Sequence, residues 1–336
     1  MKNNNILEIN NLNVGFKLDV GLLKAVSGVD LSIKKNSILG LIGESGCGKS
    51  MTAFSILRII PNPGRITKGE ILFQKEDGSS VDIAALPEKS QELRDIRGNG
   101  ISMIFQEPMT SFSPVHTIGN QIMESVMLHS DKDKKSAREV AIGVLEKVGM
   151  PNPSKSVDFY PHQLSGGLRQ RAMIAMALSC DPLLLIADEP TTALDVTIQA
   201  QILELMKRLQ EELGMAILYI THNLGVISEI SDEVAVMYLG MIVEQASVHK
   251  IFRKPLHPYT ERLMKAIPGI GGKSKEKLVA IDGVVPIPLN LPVQCGFYPR
   301  CLKAIEGICN KSVPKLREIE EGHFVRCFLY NNEEVH

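Results

Sequence analysis

The sequence predicts an α/β fold, and three stretches carry the prediction. Residues 38–57, ILGLIGESGCGKSMTAFSIL, pass from an apolar run through a glycine-rich turn into helical spacing. Residues 181–190, DPLLLIADEP, are a second apolar run that stops at two acids. Residues 215–222, MAILYITH, are a third that stops at a histidine. Apolar runs of strand length, separated by segments of helical period, read as buried parallel strands with crossover helices. Ligands of such sheets bind at the carboxyl ends of the strands, where all three runs place their polar residues.

The first stretch contains G-x-x-x-x-G-K-S, the pattern of a phosphate-binding P-loop, or Walker A motif. Gly43, Gly46 and Gly48 let the backbone turn tightly and aim its N–H groups at phosphate oxygens. The helix that follows adds the positive end of its dipole. Lys49 is suited to neutralise the β- and γ-phosphates and the Ser50 hydroxyl to ligate Mg²⁺. Glu44, Ser45, Cys47 and Met51 complete the loop and its exit into the helix. Asp188 is placed to hold the same Mg²⁺ through water. Glu189 projects to the other side if the strand persists, where it can polarise a water for attack on the γ-phosphate. Gln106 ends the apolar segment ISMIFQ; it reads either as a group that reaches Mg²⁺ or water, or as a solvated strand end. His222, judged by itself, reads as structural. Ser165-Gly166-Gly167 forms a second anion-binding turn before a helix starting near Leu168, so one chain carries two phosphate-binding helix starts.

The remaining elements follow in order. Residues 6–34 alternate apolar and polar, as antiparallel strands do. Phe16 among them is either a core ring or one that stacks on a purine. The helix after the P-loop, expected over residues 50–60, stops at Pro61-Asn62-Pro63-Gly64. GEILFQ reads as a strand and EDGSSVDIAAL as a polar turn with a short apolar segment. Residues 118–150 are helical in pattern, with DKDKKSARE as a solvated face or turn. TTALD, residues 191–195, turns into VTIQAQILELMKRLQEELG. There Ile198, Ile202, Leu205, Met206 and Leu209 recur at core-facing spacing. VAVMYLGMIVEQA closes the sheet region. Beyond Phe252 the texture turns to Pro, Gly and Lys, and Pro286, Pro288 and Pro292 disfavour regular structure. The expected division is a domain over 1–254 and a small module over 255–336.

Formal net charge is −1, from 37 basic and 38 acidic residues, so no global field draws the chain to nucleic acid or anionic membrane. The N-terminus lacks the parts of a secretory signal, and no apolar stretch approaches the ~20 residues of a membrane span. A soluble cytosolic chain is expected. Of six cysteines, Cys47 and Cys180 are scattered, while Cys295, Cys301, Cys309 and Cys327 cluster near the end. In a reducing compartment such a cluster favours metal over disulfides. Its C-x5-C-x7-C-x17-C spacing lacks the close pairs of zinc ribbons, and four thiolates suit a [4Fe–4S] cluster.

Together these strings resemble the ATP-binding subunit of an ABC transporter. GESGCGKS, Gln106 as the Q-loop, LSGGLRQR as the signature, LLLIADE as Walker B, ALD as the D-loop and His222 as the switch stand in family order. HPYTERLMKAIPG, QEPMTSFSP and the proline- and cysteine-rich end resemble the oligopeptide/dipeptide/nickel importer subfamily. Cys47 stands where Ser or Ala is usual and Leu168 where Met is common. Cys47 is therefore expected to make the ATPase sensitive to alkylation, without a catalytic role.

The resemblance implies a P-loop NTPase cassette. Its parts are a RecA-like α/β core, an N-terminal antiparallel β subdomain and a helical subdomain over about 107–178, followed by the cysteine-rich module. It implies ATP and Mg²⁺, Phe16 stacked on adenine, Glu189 orienting the attacking water and His222 on the γ-phosphate. Gln106 would sense Mg²⁺ and relay closure to membrane subunits. Ser165, Gly166, Gly167, Gln170 and Asp195 would face a second ATPase subunit, so that the two helix starts clamp one ATP between two chains. The implied partners are a different ATPase subunit, two transmembrane permease subunits and an extracytoplasmic substrate-binding protein. The chain would then lie on the cytoplasmic face of the membrane. Similar tails carry a [4Fe–4S] cluster, with no metal or zinc as the alternatives and structural bracing as the plainer role, and the cargo is a di- or oligopeptide ahead of nickel complexes. Two other readings compete. A soluble ABC protein acting on nucleic acid or ribosomes is disfavoured by one ATPase domain and near-neutral charge. An iron–sulfur redox sensor with a regulatory nucleotide site would leave Glu189 dispensable.

Overall fold

The computed structural model describes residues 4–106, 111–192, 194–265 and 283–330. The alternating N-terminal stretch forms β1 (Asn5–Leu18) and β2 (Gly21–Lys34), paired antiparallel with Phe16 opposite Leu23. β4 (Gly64–Gln74) and β5 (Ser80–Asp82) join them in a four-stranded sheet of order β2-β1-β4-β5. The three apolar runs are β3 (Ile38–Ile42), β7 (Leu184–Asp188) and β8 (Ala216–Thr221). With β6 (Ile101–Ile104) and β9 (Glu233–Tyr238) they make the parallel run β9-β3-β8-β7-β6.

Side-chain alternation divides these strands between two cores. Leu39, Leu41, Leu184, Ile186, Leu218 and Ile220 pack with the small antiparallel sheet. Ile38, Ile42, Leu185, Ala187, Ile217 and Tyr219 pack with the helices. Both faces of the parallel sheet are thus covered, which is why its strands are mostly apolar on both faces, with Ser102, Asp188, Thr221 and Glu233 as exceptions.

The helix after the P-loop runs Lys49–Ile56, shorter than expected, because Arg58 takes a left-handed backbone (φ 54°) before the proline cluster. The helical stretch 118–150 is two helices, Ile118–His129 and Lys134–Lys147. Asp133 breaks it by capping the second, its carboxylate accepting from the Ser136 N–H. The charge run is therefore the start of a helix. Val196–Leu213 buries Ile202, Leu205, Met206 and Leu209 as its period predicts and stops at Gly214 (φ 63°).

The chain beyond residue 255 extends the main sheet. β10 (Met241–Ser247) pairs with β9 on one side and with β12 (His323–Val325) on the other, and β11 (Arg317–Glu320) pairs with β12. The join is polar and buried. Glu244 on β10 accepts the Leu256 N–H (2.7 Å) and the His257 N–H (2.9 Å), and lies 2.8 Å from His323 Nε2. Three partners satisfy a carboxylate that would otherwise be costly to bury. Among the described residues no helix is long and apolar enough to cross a membrane.

Candidate nucleotide site

β3 ends at Ile42 and the P-loop begins where nothing larger than hydrogen fits. A Cβ on Gly43 would lie 2.2 Å from the Met237 carbonyl oxygen, and one on Gly48 (φ 108°) 2.4 Å from that of Ala25. Gly46 (φ 78°) faces open space. Lys49 spans the loop, its Nζ donating to the carbonyls of Gly43 (2.8 Å) and Glu44 (3.1 Å). Phosphate oxygens can replace those acceptors without moving the lysine's Cα. Cys47 corrects the expectation of alkylation: its side chain is 1% exposed, and burial raises its thiol above the ordinary value. A buried, protonated thiol is a poor nucleophile.

Asp188, the last residue of β7, is 3% exposed. Burial raises its carboxyl above the usual range, against an opposing hydrogen bond with the Ser50 hydroxyl. Its Oδ1 is buried without a hydrogen-bond partner. An orphaned carboxylate oxygen beside a P-loop serine is the donor set that Mg²⁺ takes, and the two residues fit the ion on that ground.

Glu189 is not aimed by strand alternation. β7 has ended, and Glu189 sits in a left-handed turn (φ 47°), so the turn rather than the pleat directs it. Its Oε1 lies 2.9 Å from His222 Nδ1, while its Oε2 accepts from Thr192 Oγ1 (3.0 Å) and Gln106 Nε2 (3.3 Å). Burial pushes this carboxyl up, but the bonds from His222 and Thr192 outweigh it, and the group lies below the usual carboxylate range. It is ionised at neutral pH. His222 is 61% exposed and tied to Glu189, which argues against the structural role its position alone suggested. Gln106 thus meets the acid at 189 rather than the one at 188.

A pocket of about 520 Å³ lies over the loop, lined by Phe16, Leu23, Lys49, Gln106, Glu189 and Pro288 among others. It has an apolar end at Phe16 and a charged end at Lys49 and Glu189, as a base and a polyphosphate require. Ser45, Ser50 and Met51 also line it. Roomier hollows of about 890 and 730 Å³ contain none of the P-loop, so chemistry and not volume marks the site.

The second helix start is elsewhere. Ser165 caps the helix Gly166–Leu178, accepting the Leu168 N–H (3.4 Å), so the helix opens two residues before Leu168. Ser165 and Gly166 are exposed and do not line the pocket; Gly167 is half-buried. Asp195 is exposed and caps the helix Val196–Leu213 through Ile198 N–H (3.0 Å). Gln170, expected to face a partner, is 1% exposed and turned into the subunit. Residues 107–110 of QEPMTSFSP, Ala193 of the D-loop and residues 266–269 of HPYTERLMKAIPG lie outside the described residues.

Three tail residues reach the site without having been expected there. Pro288 lines the pocket and accepts the Lys24 N–H (2.8 Å). The Tyr259 hydroxyl accepts the Glu44 N–H (2.9 Å), and Arg300 pairs with the Glu44 side chain. The one signal in the sequence was Glu44 itself, a carboxylate in a loop built for anions. The four tail cysteines are free thiols. Cys327 lies within electrostatic reach of Cys295, Cys301 and Cys309. Burial pushes Cys295 up to about 11 and Cys327 up to about 12. Backbone N–H groups point at their sulfurs, from Phe297 to Cys295, Lys303 to Cys301, Ile305 to Cys309 (3.3 Å) and Leu329 to Cys327. Even so, among the described residues no three Cys, His, Asp or Glu side chains are arranged to hold a metal ion. As they stand, these side chains do not form a ligand set for the expected [4Fe–4S] cluster or for zinc.

A P-loop, an Mg²⁺-type acid and an ionised glutamate bound to a histidine define an ATP-binding cassette. The profile of the ABC transporter family matches residues 26–192, and that of the oligopeptide/dipeptide transporter C-terminal region matches 243–309. The oligopeptide transport ATP-binding protein AppD of Bacillus subtilis is 50% identical over 329 residues, covering 98% of each chain. The dipeptide transport ATP-binding protein DppD of Escherichia coli is 42% identical over 322 residues, covering 96% of each. Among solved structures, the ATP-binding cassette MJ0796, a dimer in a post-hydrolysis state bound to ADP and Pi, superposes with a TM-score of 0.63 at 25% identity. That match covers 72% of this chain and 98% of that one. The chain belongs to the family of ATP-binding subunits of oligopeptide/dipeptide ABC transporters.

Proposed function

We propose that this chain hydrolyses ATP to energise the import of di- or oligopeptides by a membrane transporter. The observation that carries the reading is the Glu189 constellation. An ionised acid one residue past the Mg²⁺-type Asp188 is held by His222, Thr192 and Gln106 at the mouth of the pocket. Glu189 is poised to orient a water and accept its proton, with His222 steadying the carboxylate. Lys49 neutralises phosphate charge. When bound between Ser50 and Asp188, Mg²⁺ supplies further neutralisation of the polyphosphate. The exposed Ser165-Gly166 turn supports a dimer in which it completes the ATP site of a second subunit. That subunit is a different ATPase chain, and the pair works at the cytoplasmic face against two permease subunits supplied with cargo by a binding protein. Peptide ahead of nickel rests on the matched C-terminal region and on the relatives' names.

Although their side chains are not arranged as a ligand set, the tail cysteines are proposed as the seat of an iron–sulfur centre ahead of zinc, on their mutual electrostatic reach and the N–H groups at their sulfurs. Iron, sulfide and zinc analysis of anaerobically purified chain tests this, and a colourless, metal-free protein overturns it. For the cargo, the transporter is co-expressed with its binding protein and ATPase is measured in vesicles. Stimulation by peptides is expected; stimulation by nickel complexes alone overturns the peptide assignment.

A further inference from the structure

Glu44 poses an electrostatic problem that the rest of the site does not solve. It places a carboxylate in a loop whose work is to bind a polyanion, and a like charge nearby repels what the lysine and backbone N–H groups attract. The structure answers from the far end of the chain. Arg300, with its side chain 5% exposed, grips Glu44 with both prongs of its guanidinium, Nη1 to Oε2 at 2.7 Å and Nη2 to Oε1 at 3.1 Å. This two-bond fork is the strong form of an ion pair. Arg300 is itself held by the Gly283 carbonyl (3.2 Å) and the Tyr238 hydroxyl (3.4 Å), with the Tyr238 ring 5.8 Å away.

The backbone of Glu44 is held as well. Its N–H donates to the hydroxyl of Tyr259, which is fully buried against Tyr238 (4.7 Å between rings) and Phe297 (5.5 Å). Side chain and backbone of one P-loop residue are thus both secured by the C-terminal region. Arg300 immediately precedes Cys301, so the first part of the cysteine segment abuts the phosphate loop.

We propose that Arg300 is a positioning residue for nucleotide binding: it neutralises Glu44 and holds the loop open to a triphosphate, so that the C-terminal region sets the affinity for ATP. The inference rests on the reading of the pocket as the ATP site. The test measures Mg-ATP affinity and ATPase kinetics on the full chain. Arg300→Met weakens ATP binding and raises KM by about tenfold, the order expected for one uncompensated charge near the phosphates at the effective dielectric of a protein surface, while kcat holds. Arg300→Lys, a point charge without the fork, recovers part of the loss. Glu44→Gln in the Arg300→Met background restores affinity, because the charge that needed neutralising is gone. A structural role alone does not predict that rescue. Should Arg300→Met fail to fold, the double variant, with neither charge, still decides. Wild-type affinity in Arg300→Met, or a double variant as weak as a soluble single one, overturns the inference; a double variant that also fails to bind ATP when the single does not fold overturns it too. Lys49→Ala serves as the control: undiminished ATP binding there overturns the ATP-site reading itself.

Discussion

Two glycines of the P-loop share a positive φ and differ in surroundings, which makes their alanine variants a direct probe of the loop. Gly48 has φ 108° and Gly46 φ 78°, both in territory that costs a residue with a Cβ roughly 1–3 kcal/mol. At Gly46 that is the whole cost to stability, since an added Cβ meets nothing within 4 Å. At Gly48 it comes 2.4 Å from the Ala25 carbonyl oxygen, about 1 Å inside ordinary contact. The obstacle is backbone of β2 between Lys24 and Val26, which pair with Gly15 and Val14 of β1, so it yields only by straining those flanking pairs. A forced shift of this kind costs a further ~1–3 kcal/mol. Gly48→Ala is therefore expected to melt several °C below Gly46→Ala when the two are compared with wild type by thermal unfolding. Gly46→Ala pays instead in ATP affinity, because its methyl enters the space over the loop. Equal melting temperatures for the two variants would refute the packing argument.

Two further outcomes are expected. Burial holds His257 down to about 4, below its ordinary 6.5, so between these values the unfolded chain binds a proton that the folded chain refuses. The stability this group confers is complete above about pH 6.5 and is lost as pH falls toward 4, by up to about 3 kcal/mol. Denaturant melts of His257→Asn should show a flatter acid limb than wild type, and parallel limbs would exclude His257 as the cause. In folded protein, N-ethylmaleimide should spare Cys47 and leave ATPase unchanged; rapid labelling at Cys47 with loss of turnover would contradict its burial.

The parts legible in the sequence were those governed by local rules. β3, β7 and β8 are mostly apolar on both sides because both faces are covered, and their ends present Gly43, Asp188 and His222. Asp188 is where strand logic places it. Glu189 is not, because a left-handed turn at a non-glycine residue leaves no local mark. Gln170 looked like its neighbours in the signature, yet at its place in a 13-residue helix it falls on the inner face. The largest shortfall lay in the tail. Glu44 and Arg300 are 256 residues apart, and Glu244 and His323 are 79 apart, so no periodicity connects them. Glu44, a carboxylate in a loop built for anions, was the only sign, and a sign of that kind says that a partner exists without saying where.

Glu189 is the group proposed to prepare water for attack, and the roles proposed for the pocket, Asp188 and His222 derive their meaning from it. Replacing it with glutamine keeps the size and the bonds to Thr192 and Gln106 while removing the base. Single-turnover measurement on Glu189→Gln should find ATP bound about as tightly as by wild type and hydrolysed at least about a hundredfold more slowly. Hydrolysis at the wild-type rate with the variant folded and loaded would contradict the account.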